Sequence, residues 1–153
     1  LVTKFKVLPG TDGQKMSKTY GNFIALGDDE ATIKKKVGSM YTDPAKIHKT
    51  DPGHPKSCPV YIYRTIYDTE LPEDTAEKCR AGDSGVGCVG CKKRLFSALL
   101  DYFRDMRERR EELLSDKAEL DRVLENGAER ARERAAETMK MVRDVMHMYR
   151  PEI

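Results

Sequence analysis

The chain has 153 residues, of which 35% are charged and 39% hydrophobic, and a net charge of +2. This length allows one domain with its own core, and the composition favours a thin-cored helical protein over a compact β-sandwich. No apolar run approaches the ~20 residues that span a membrane, and no targeting segment is recognisable. We therefore expect a cytoplasmic protein without a membrane partner, whose nucleic-acid contacts would require local clusters of Lys and Arg.

The first segment, Leu1–Leu8, alternates in the manner of a β-strand and ends at Pro9-Gly10. A lone strand is not stable, so we expect its sheet to be missing. The next segment is a glycine-rich loop that carries Lys15 and Lys18. Two lysines three residues apart in such a loop can point at one polyanion, and the alternative is an ordinary exposed basic loop.

Helices are predicted for most of the remainder. Asp28 and Asp29 are good N-caps for a helix to about Met40. Short helices are predicted from Pro44 and from Pro72, the latter carrying Cys79 near its end. The segment Val60–Tyr67 fits a strand by its β-branched and aromatic content, but its helical surroundings favour a helix.

The last third of the chain predicts three helices. The first follows Cys91 to about Ser115. The second begins after Asp116 and ends near Glu125, because Asn126-Gly127 is a strong stop signal. The third covers Ala128–Met148. Its predicted buried face consists of Ala131, Ala135, Thr138, Val142 and either Val145 or Met146.

All four cysteines lie between Cys58 and Cys91. Cys88 and Cys91 form a C-x-x-C flanked by glycines, and two thiolates at that spacing can turn to one centre. Four uses remain open from spacing alone: a disulfide pair, a structural zinc site, an iron–sulfur cluster, or unligated thiols. The charged composition argues against disulfides, and zinc sites of four cysteines usually contain two such knuckles. Clusters tolerate one knuckle and two isolated cysteines.

Several motifs resemble a known family. The segment Lys15–Thr19 resembles the K-M-S-K-S signature of class I aminoacyl-tRNA synthetases, with Thr in place of the last Ser. The preceding Gly-x-Asp-Gly resembles the tryptophanyl and tyrosyl subgroup. Further stretches resemble the tryptophanyl members: Asp28-Asp29 with Ile33–Val37, Thr42–Pro44, and the tail from Gly127 to Arg143. The tyrosyl members are the nearest alternative, against which the cysteine pattern and the tail argue.

The resemblance implies an enzyme that joins L-tryptophan to AMP, using ATP with Mg, and passes the tryptophanyl group to tRNA(Trp). Lys15 and Lys18 would then be catalytic, contacting the phosphates. Gly10 and Gly13 would supply the loop with flexibility. The nucleotide would be bound by the whole signature: Lys15, Met16, Ser17, Lys18 and Thr19.

The family's H-I-G-H-type motif is not in the sequence, and His48, His54 and His147 are isolated surface residues. Together with the start at Leu1, this predicts the C-terminal part of a longer synthetase, inactive by itself. The fold class implied is mainly α. Residues 1–27 would end a Rossmann-type catalytic domain with its mobile loop, and residues 28–153 would form the helical anticodon-binding domain. The resemblance also implies a homodimer for the full-length protein and no DNA partner.

Some bacterial members hold a 4Fe-4S cluster in this domain, and the order of Cys58, Cys79, Cys88 and Cys91 is similar to theirs. The resemblance therefore implies these four ligands, with zinc as the alternative. It also implies RNA contact by at least one of Arg104, Arg107 and Arg110, although such a run is usually a solvated helix face. Two rival functions are a zinc-containing nucleic-acid-binding module and a helical interaction protein with incidental cysteines.

Overall fold

The computed structural model describes residues 7–148. Its helices are α1 (Glu30–Ser39), α2 (Pro59–Tyr67), α3 (Thr75–Ala81), α4 (Cys88–Tyr102), α5 (Arg104–Ser115) and α6 (Lys117–Val145), and a 3-10 turn at Pro55–Ser57 precedes α2. Across the described residues the only β pairing is an isolated bridge between Pro9 and Lys15. The mainly α fold class is thus confirmed. The predicted strand Leu1–Leu8 falls mostly outside the described residues.

The chain divides into two compact units, residues 1–105 and 106–153. The core of the first unit is formed where α1 and α2 pack on α4. Its buried side chains are Ile33, Val37 and Met40 of the α1 region, Val60 and Tyr63 of α2, and Leu95 and Leu99 of α4. Cys58, Cys91 and Met16 pack against this same core. The core therefore touches both the cysteine segment and the lysine loop.

The start of α1 follows the sequence prediction. Asp29 is its N-cap and accepts a hydrogen bond from the backbone N–H of Thr32 at 2.7 Å. The helical interpretation of Val60–Tyr67 is also confirmed. Pro59 occupies the first turn of α2, and the apolar residues Val60 and Tyr63 point to one buried face.

Several predicted helix boundaries are wrong. No helix starts at Pro44, because Asp43 accepts from the N–H of Ala45 and so closes a short Asx-type turn. The helix that carries Cys79 begins at Thr75 and not at Pro72. The helix after the cysteine knuckle begins at Cys88 itself and is interrupted at Phe103. Phe103 packs there on Tyr67 and Tyr102, with ring centroids 5.6 and 4.9 Å away.

In the second unit, the predicted stop at Asn126-Gly127 is wrong. Helix α6 runs through it for 29 residues. A glycine costs about 1 kcal/mol in a helix, which good helix formers on both sides can offset. The predicted buried face of the last helix is wrong as well, since none of its members is buried. No helix in the described part of the chain is long and apolar enough to cross a membrane.

Candidate functional site: a cysteine-lined cavity and a lysine loop

Three helix ends bring the four cysteines together. Cys58 caps α2, Cys79 lies in the last turn of α3, and Cys88 and Cys91 form the first turn of α4. All four line one cavity of about 30 Å3, whose other walls include Thr42, Pro55 and Val86. Each cysteine is half-buried and free, without a disulfide. The predicted ligand residues are therefore neighbours in space as well as in sequence.

The thiols lie in an apolar environment, and burial raises the pKa of Cys58 above its ordinary value. Burial also raises the pKa of Cys79, an effect that the positive charge of Lys46 opposes. Within residues 7–148, no three His, Cys, Asp or Glu side chains are grouped tightly enough to hold one metal ion.

Arg64 of α2 is a buried cation at one side of this cavity. Its side chain is directed by Asp68, whose Oδ2 accepts from Nε at 2.9 Å and from Nη2 at 2.8 Å. The remaining Nη1 donates to Sγ of Cys91 at 3.4 Å. Arg64 is 6% exposed and Asp68 is 7% exposed. The guanidinium is thus held with one donor group aimed at a cysteine sulfur.

Lys46 is a second buried cation, 8% exposed, and it lines the cavity near Cys79. Its Nζ donates to two backbone carbonyls, those of Lys49 at 2.8 Å and Asp51 at 2.5 Å. Neither acceptor carries a formal charge, so the positive charge of Lys46 has no counter-ion in these hydrogen bonds. Buried cations are costly unless an anion is close, so the surroundings of this cavity suit a negatively charged ligand set.

The lysine loop is folded over the same core. Tyr63 Oη donates to the carbonyl of Pro9 at 2.9 Å, and the N–H of Tyr41 donates to the carbonyl of Thr11 at 2.7 Å. Lys15 and Lys18 are exposed. Neither ammonium group has an ion-pair or hydrogen-bond partner within the described part of the chain. The start of the loop is thus held by hydrogen bonds at Pro9 and Thr11, while Lys15 and Lys18 extend two positive charges without acidic partners among the described residues.

A basic cavity of about 490 Å3 lies between α1 and α4. Lys34, Lys92 and Lys93 line it together with the ring of Phe96. Lys92 Nζ donates to the carbonyl of Gly38 at 2.9 Å. Positive charge beside an aromatic ring is a combination that suits RNA phosphates and bases.

Most arginines of the predicted run contact an acidic side chain close to them in sequence. Arg109 contacts Glu112 at 2.9 Å and Arg110 contacts Glu111 at 3.3 Å. Arg104 contacts Asp101 at 2.6 Å. Arg107 differs, because its Nε is buried and has no hydrogen-bond partner among the described residues. Of the isolated histidines, His54 contacts Asp43 through Nδ1 at 2.7 Å and is exposed.

Residues 1–104 match the sequence model of the family described as class I tRNA synthetases (W and Y). The chain belongs to this family. It is 43% identical over 97% of its length to a tryptophan--tRNA ligase of Aquifex aeolicus, covering 38% of that protein. It is 37% identical over 97% of its length to a tryptophan--tRNA ligase of Thermotoga maritima, covering 45% of that protein. The chain thus spans less than half the length of these relatives in the synthetase family.

The fold has a solved counterpart in the same family. The tryptophanyl-tRNA synthetase of Campylobacter jejuni, solved in complex with ADP and tryptophan, matches 95% of the chain with a TM-score of 0.79. The sequence identity is 31%, and the chain covers 44% of that structure. The helical arrangement described above is therefore one that this family uses.

Three residues at these sites were missed by the sequence predictions. Arg64 had a signal, because a single charge inside the apolar run Val60–Tyr67, with Asp68 four residues on, indicates a buried pair. Lys46 had no such signal, and neither had Asn22, whose side chain bonds the lysine loop at Ser17 N–H and the Lys15 carbonyl. Their roles depend on backbone carbonyls and amides whose positions only the fold supplies.

Proposed function

We propose that this chain is part of a tryptophan--tRNA ligase, supplying the ATP-phosphate loop and the tRNA-binding helices. The observation that carries the proposal is the pair of exposed, unneutralised lysines, Lys15 and Lys18, at the signature loop of a chain whose relatives named above are all tryptophan-specific. The substrates are L-tryptophan, ATP with Mg, and tRNA(Trp). The proposed location is the cytoplasm, and the proposed assembly is a homodimer of the full-length protein.

The chemistry assigned to the lysines follows from charge. When tryptophan attacks ATP, negative charge builds on the departing pyrophosphate. A cation on an anchored but adjustable loop stabilises that charge more in the transition state than in the ground state, and so raises the rate. Lys18 is the main candidate and Lys15 the second. Met16, Ser17 and Thr19 complete the nucleotide-binding loop, within a catalytic-domain end at residues 1–27.

The test is tryptophan-dependent exchange of pyrophosphate into ATP by the gene product at its natural length. Lys18→Ala should lower kcat about 100-fold, since removal of one transition-state donor costs on that order. Lys35→Ala, an exposed lysine on α1, is the matched control and should leave the rate unchanged. Exchange that depends on tyrosine, or an unaltered rate in Lys18→Ala, would refute the proposal.

We further propose that residues 28–153 bind the anticodon arm of tRNA(Trp). The basic cavity of Lys34, Lys92, Lys93 and Phe96 in the first unit supports this function. Contact by at least one of Arg104, Arg107 and Arg110 is part of the proposal. Lys93→Ala should weaken tRNA(Trp) binding severalfold and reduce its salt dependence. Lys140→Ala on α6 is the control. Absence of tRNA binding at low salt would contradict the assignment.

A 4Fe-4S cluster held by Cys58, Cys79, Cys88 and Cys91 is the proposed occupant of the cysteine site. Zinc, which binds four sulfurs at about 2.3 Å, is the alternative occupant. A cluster spreads its thiolates over separate iron atoms. The buried charges of Arg64 and Lys46 favour an anionic group of this kind. When bound, the cluster would crosslink three helix ends, and its proposed role is structural.

A further inference from the structure

Asn22 is the centre around which the lysine loop is folded. Its Oδ1 accepts from the N–H of Ser17 at 2.8 Å. Its Nδ2 donates to Oδ1 of Asp12 at 2.8 Å and to the carbonyl of Lys15 at 3.1 Å. Its own carbonyl accepts from the N–H of Thr11 at 2.9 Å. Asn22 is 5% exposed, although it follows a stretch of exposed residues.

The backbone around Asn22 is shaped to admit this side chain. A Cβ atom at Gly10 would lie 2.6 Å from Cγ of Asn22, so only glycine lets the chain pass at this point. Asp12, held by Asn22, also accepts from the N–H of Gln14 at 2.9 Å. These two hydrogen bonds lower the pKa of the Asp12 carboxyl below its ordinary value, and the one from the Asn22 amide has the larger effect. The loop is thus tied at Asp12, Lys15 and Ser17 by one residue.

We infer that Asn22 is a positioning residue for the lysine loop, which fixes the backbone between Lys15 and Ser17 so that the two ammonium groups are presented together. This inference rests on the proposed function of Lys15 and Lys18. Asn22 does not contact the phosphates in this role. It acts through the backbone at both ends of the Lys15–Ser17 turn.

Only an amide satisfies this arrangement. The side chain must accept one hydrogen bond and donate two, and asparagine has both kinds of atom at the required reach. Aspartate keeps the acceptor for Ser17 but loses both donors, and it places a second carboxylate against Asp12. Alanine loses all three side-chain bonds. The two substitutions therefore damage the loop by different amounts and for different reasons.

The first experiment measures amide hydrogen exchange by NMR on the 153-residue chain. In Asn22→Ala the Ser17 amide loses its side-chain acceptor and should exchange about 10-fold faster. In Asn22→Asp that acceptor remains, but the lost donors and the two facing carboxylates loosen the loop, so the Ser17 and Thr11 amides should exchange faster by a smaller factor. The amides of α4 should be unchanged, which separates a loop effect from general unfolding. Asn126→Ala, an exposed asparagine on α6, is the matched control.

The second experiment is a rescue by exchange of partners. Asp12→Asn combined with Asn22→Asp restores a donor and an acceptor between positions 12 and 22 without two facing carboxylates. The double variant should recover part of the protection that Asn22→Asp loses. The recovery is partial because the carbonyl of Lys15 still lacks its donor. No recovery would overturn the inferred pairing.

The third experiment is kinetic and uses the gene product at its natural length. Asn22→Asp should lower kcat for pyrophosphate exchange about 10-fold with little change in the KM for tryptophan, and the double variant should recover part of kcat. Normal kcat and exchange protection in Asn22→Asp and Asn22→Ala would overturn the inference. The proposed function fails separately, if Lys18→Ala has no effect.

Discussion

Arg64 donates a hydrogen bond from Nη1 to Sγ of Cys91 across 3.4 Å, while its other donors are engaged by Asp68. The two partners are 27 residues apart in sequence and belong to different helices, α2 and α4. Asp68 also lies 3.5 Å from Nε of Arg94, which in turn pairs with Glu70. Contacts between charged side chains therefore continue from the cysteine cavity to the exposed Glu70. The buried pair Arg64–Asp68 and the exposed residue Arg94 can be tested separately.

Replacing Arg64 with Met should destabilise the first unit by about 3 kcal/mol. The reason is that Asp68 would remain buried without its principal partner. Arg94→Met is the control, because its side chain is 44% exposed and exposed pairs contribute about 1 kcal/mol or less. Urea unfolding of the two variants gives the comparison. Equal losses would show that burial of the Arg64–Asp68 pair does not decide its strength.

Anaerobically prepared protein should contain iron and acid-labile sulfide in equal amounts, about four of each per chain. Cys91→Ser should lose most of both and melt the start of α4, because metal binding is coupled to local folding. Ser57→Ala, an exposed neighbour of Cys58, should retain them. Colourless protein with one zinc per chain would contradict the cluster, and unchanged helicity in Cys91→Ser would favour incidental thiols.

Tyr63 predicts a loss of stability in alkaline solution. Burial, with a smaller contribution from Tyr67, raises its pKa from 10.0 to about 12. Between these values the folded chain holds a proton that the unfolded chain has released. The free energy of unfolding therefore falls as the pH rises through that window, by up to roughly 3 kcal/mol for this group.

The measurement is urea unfolding between pH 9 and pH 12 for the native chain and for Tyr63→Phe. The difference between the two should shrink as the pH rises, since only the native chain carries the Tyr63 contribution, and the other titrating groups cancel. Tyr20→Phe, a substitution at a side chain 76% exposed, should show the same pH dependence as the native chain. Parallel curves for Tyr63→Phe would count against a buried hydroxyl that donates to Pro9.

Gly127→Ala tests the continuity of α6 by the sign of its effect. An added Cβ meets nothing within 4 Å, and the residue has no positive φ, so the substitution should stabilise the helix by about 1 kcal/mol. A glycine that ended a helix in the left-handed conformation would give the opposite sign. Gly21→Ala is the contrasting case, because φ is +64° there and an alanine is strained. Circular dichroism during thermal unfolding distinguishes the outcomes.

The predictions from sequence were correct for features that depend on residues close together in the chain. Asp29 caps α1 through the N–H of a residue three positions away, and Lys15–Thr19 is recognisable as a contiguous motif. The predicted helix start at Pro44 is wrong because the side chain of Asp43 closes a turn there. The predicted stop at Asn126-Gly127 is wrong because the summed helix propensity of the surrounding residues outweighs the cost of one glycine. The predicted buried face of the last helix failed because no side chain of the described residues covers it.

The cysteine site, too, could be predicted only in those parts that depend on local spacing. The spacing of Cys88 and Cys91 predicts that two thiols share a centre, but it does not predict which cations surround them. Arg64 reaches Cys91 because α2 packs on α4, and Lys46 is directed by the carbonyls of Lys49 and Asp51. Such contacts arise from tertiary packing between distant segments. The predicted domain boundary between residues 27 and 28 stays a prediction. The boundary between the two compact units lies in sequence between Asp105 and Met106.

The start of α4 at the cysteine knuckle restricts how this segment can vary in length. Cys91, Leu95 and Leu99 are spaced by four residues on one helix, and the two leucines are buried in the core. One inserted residue between Cys91 and Leu95 would rotate the knuckle by about 100° away from the cavity. The irregular segments 69–74, between α2 and α3, and 83–87, between α3 and α4, carry no such restriction. Insertions and deletions among relatives should therefore fall before Cys88 and avoid the turn that follows Cys91.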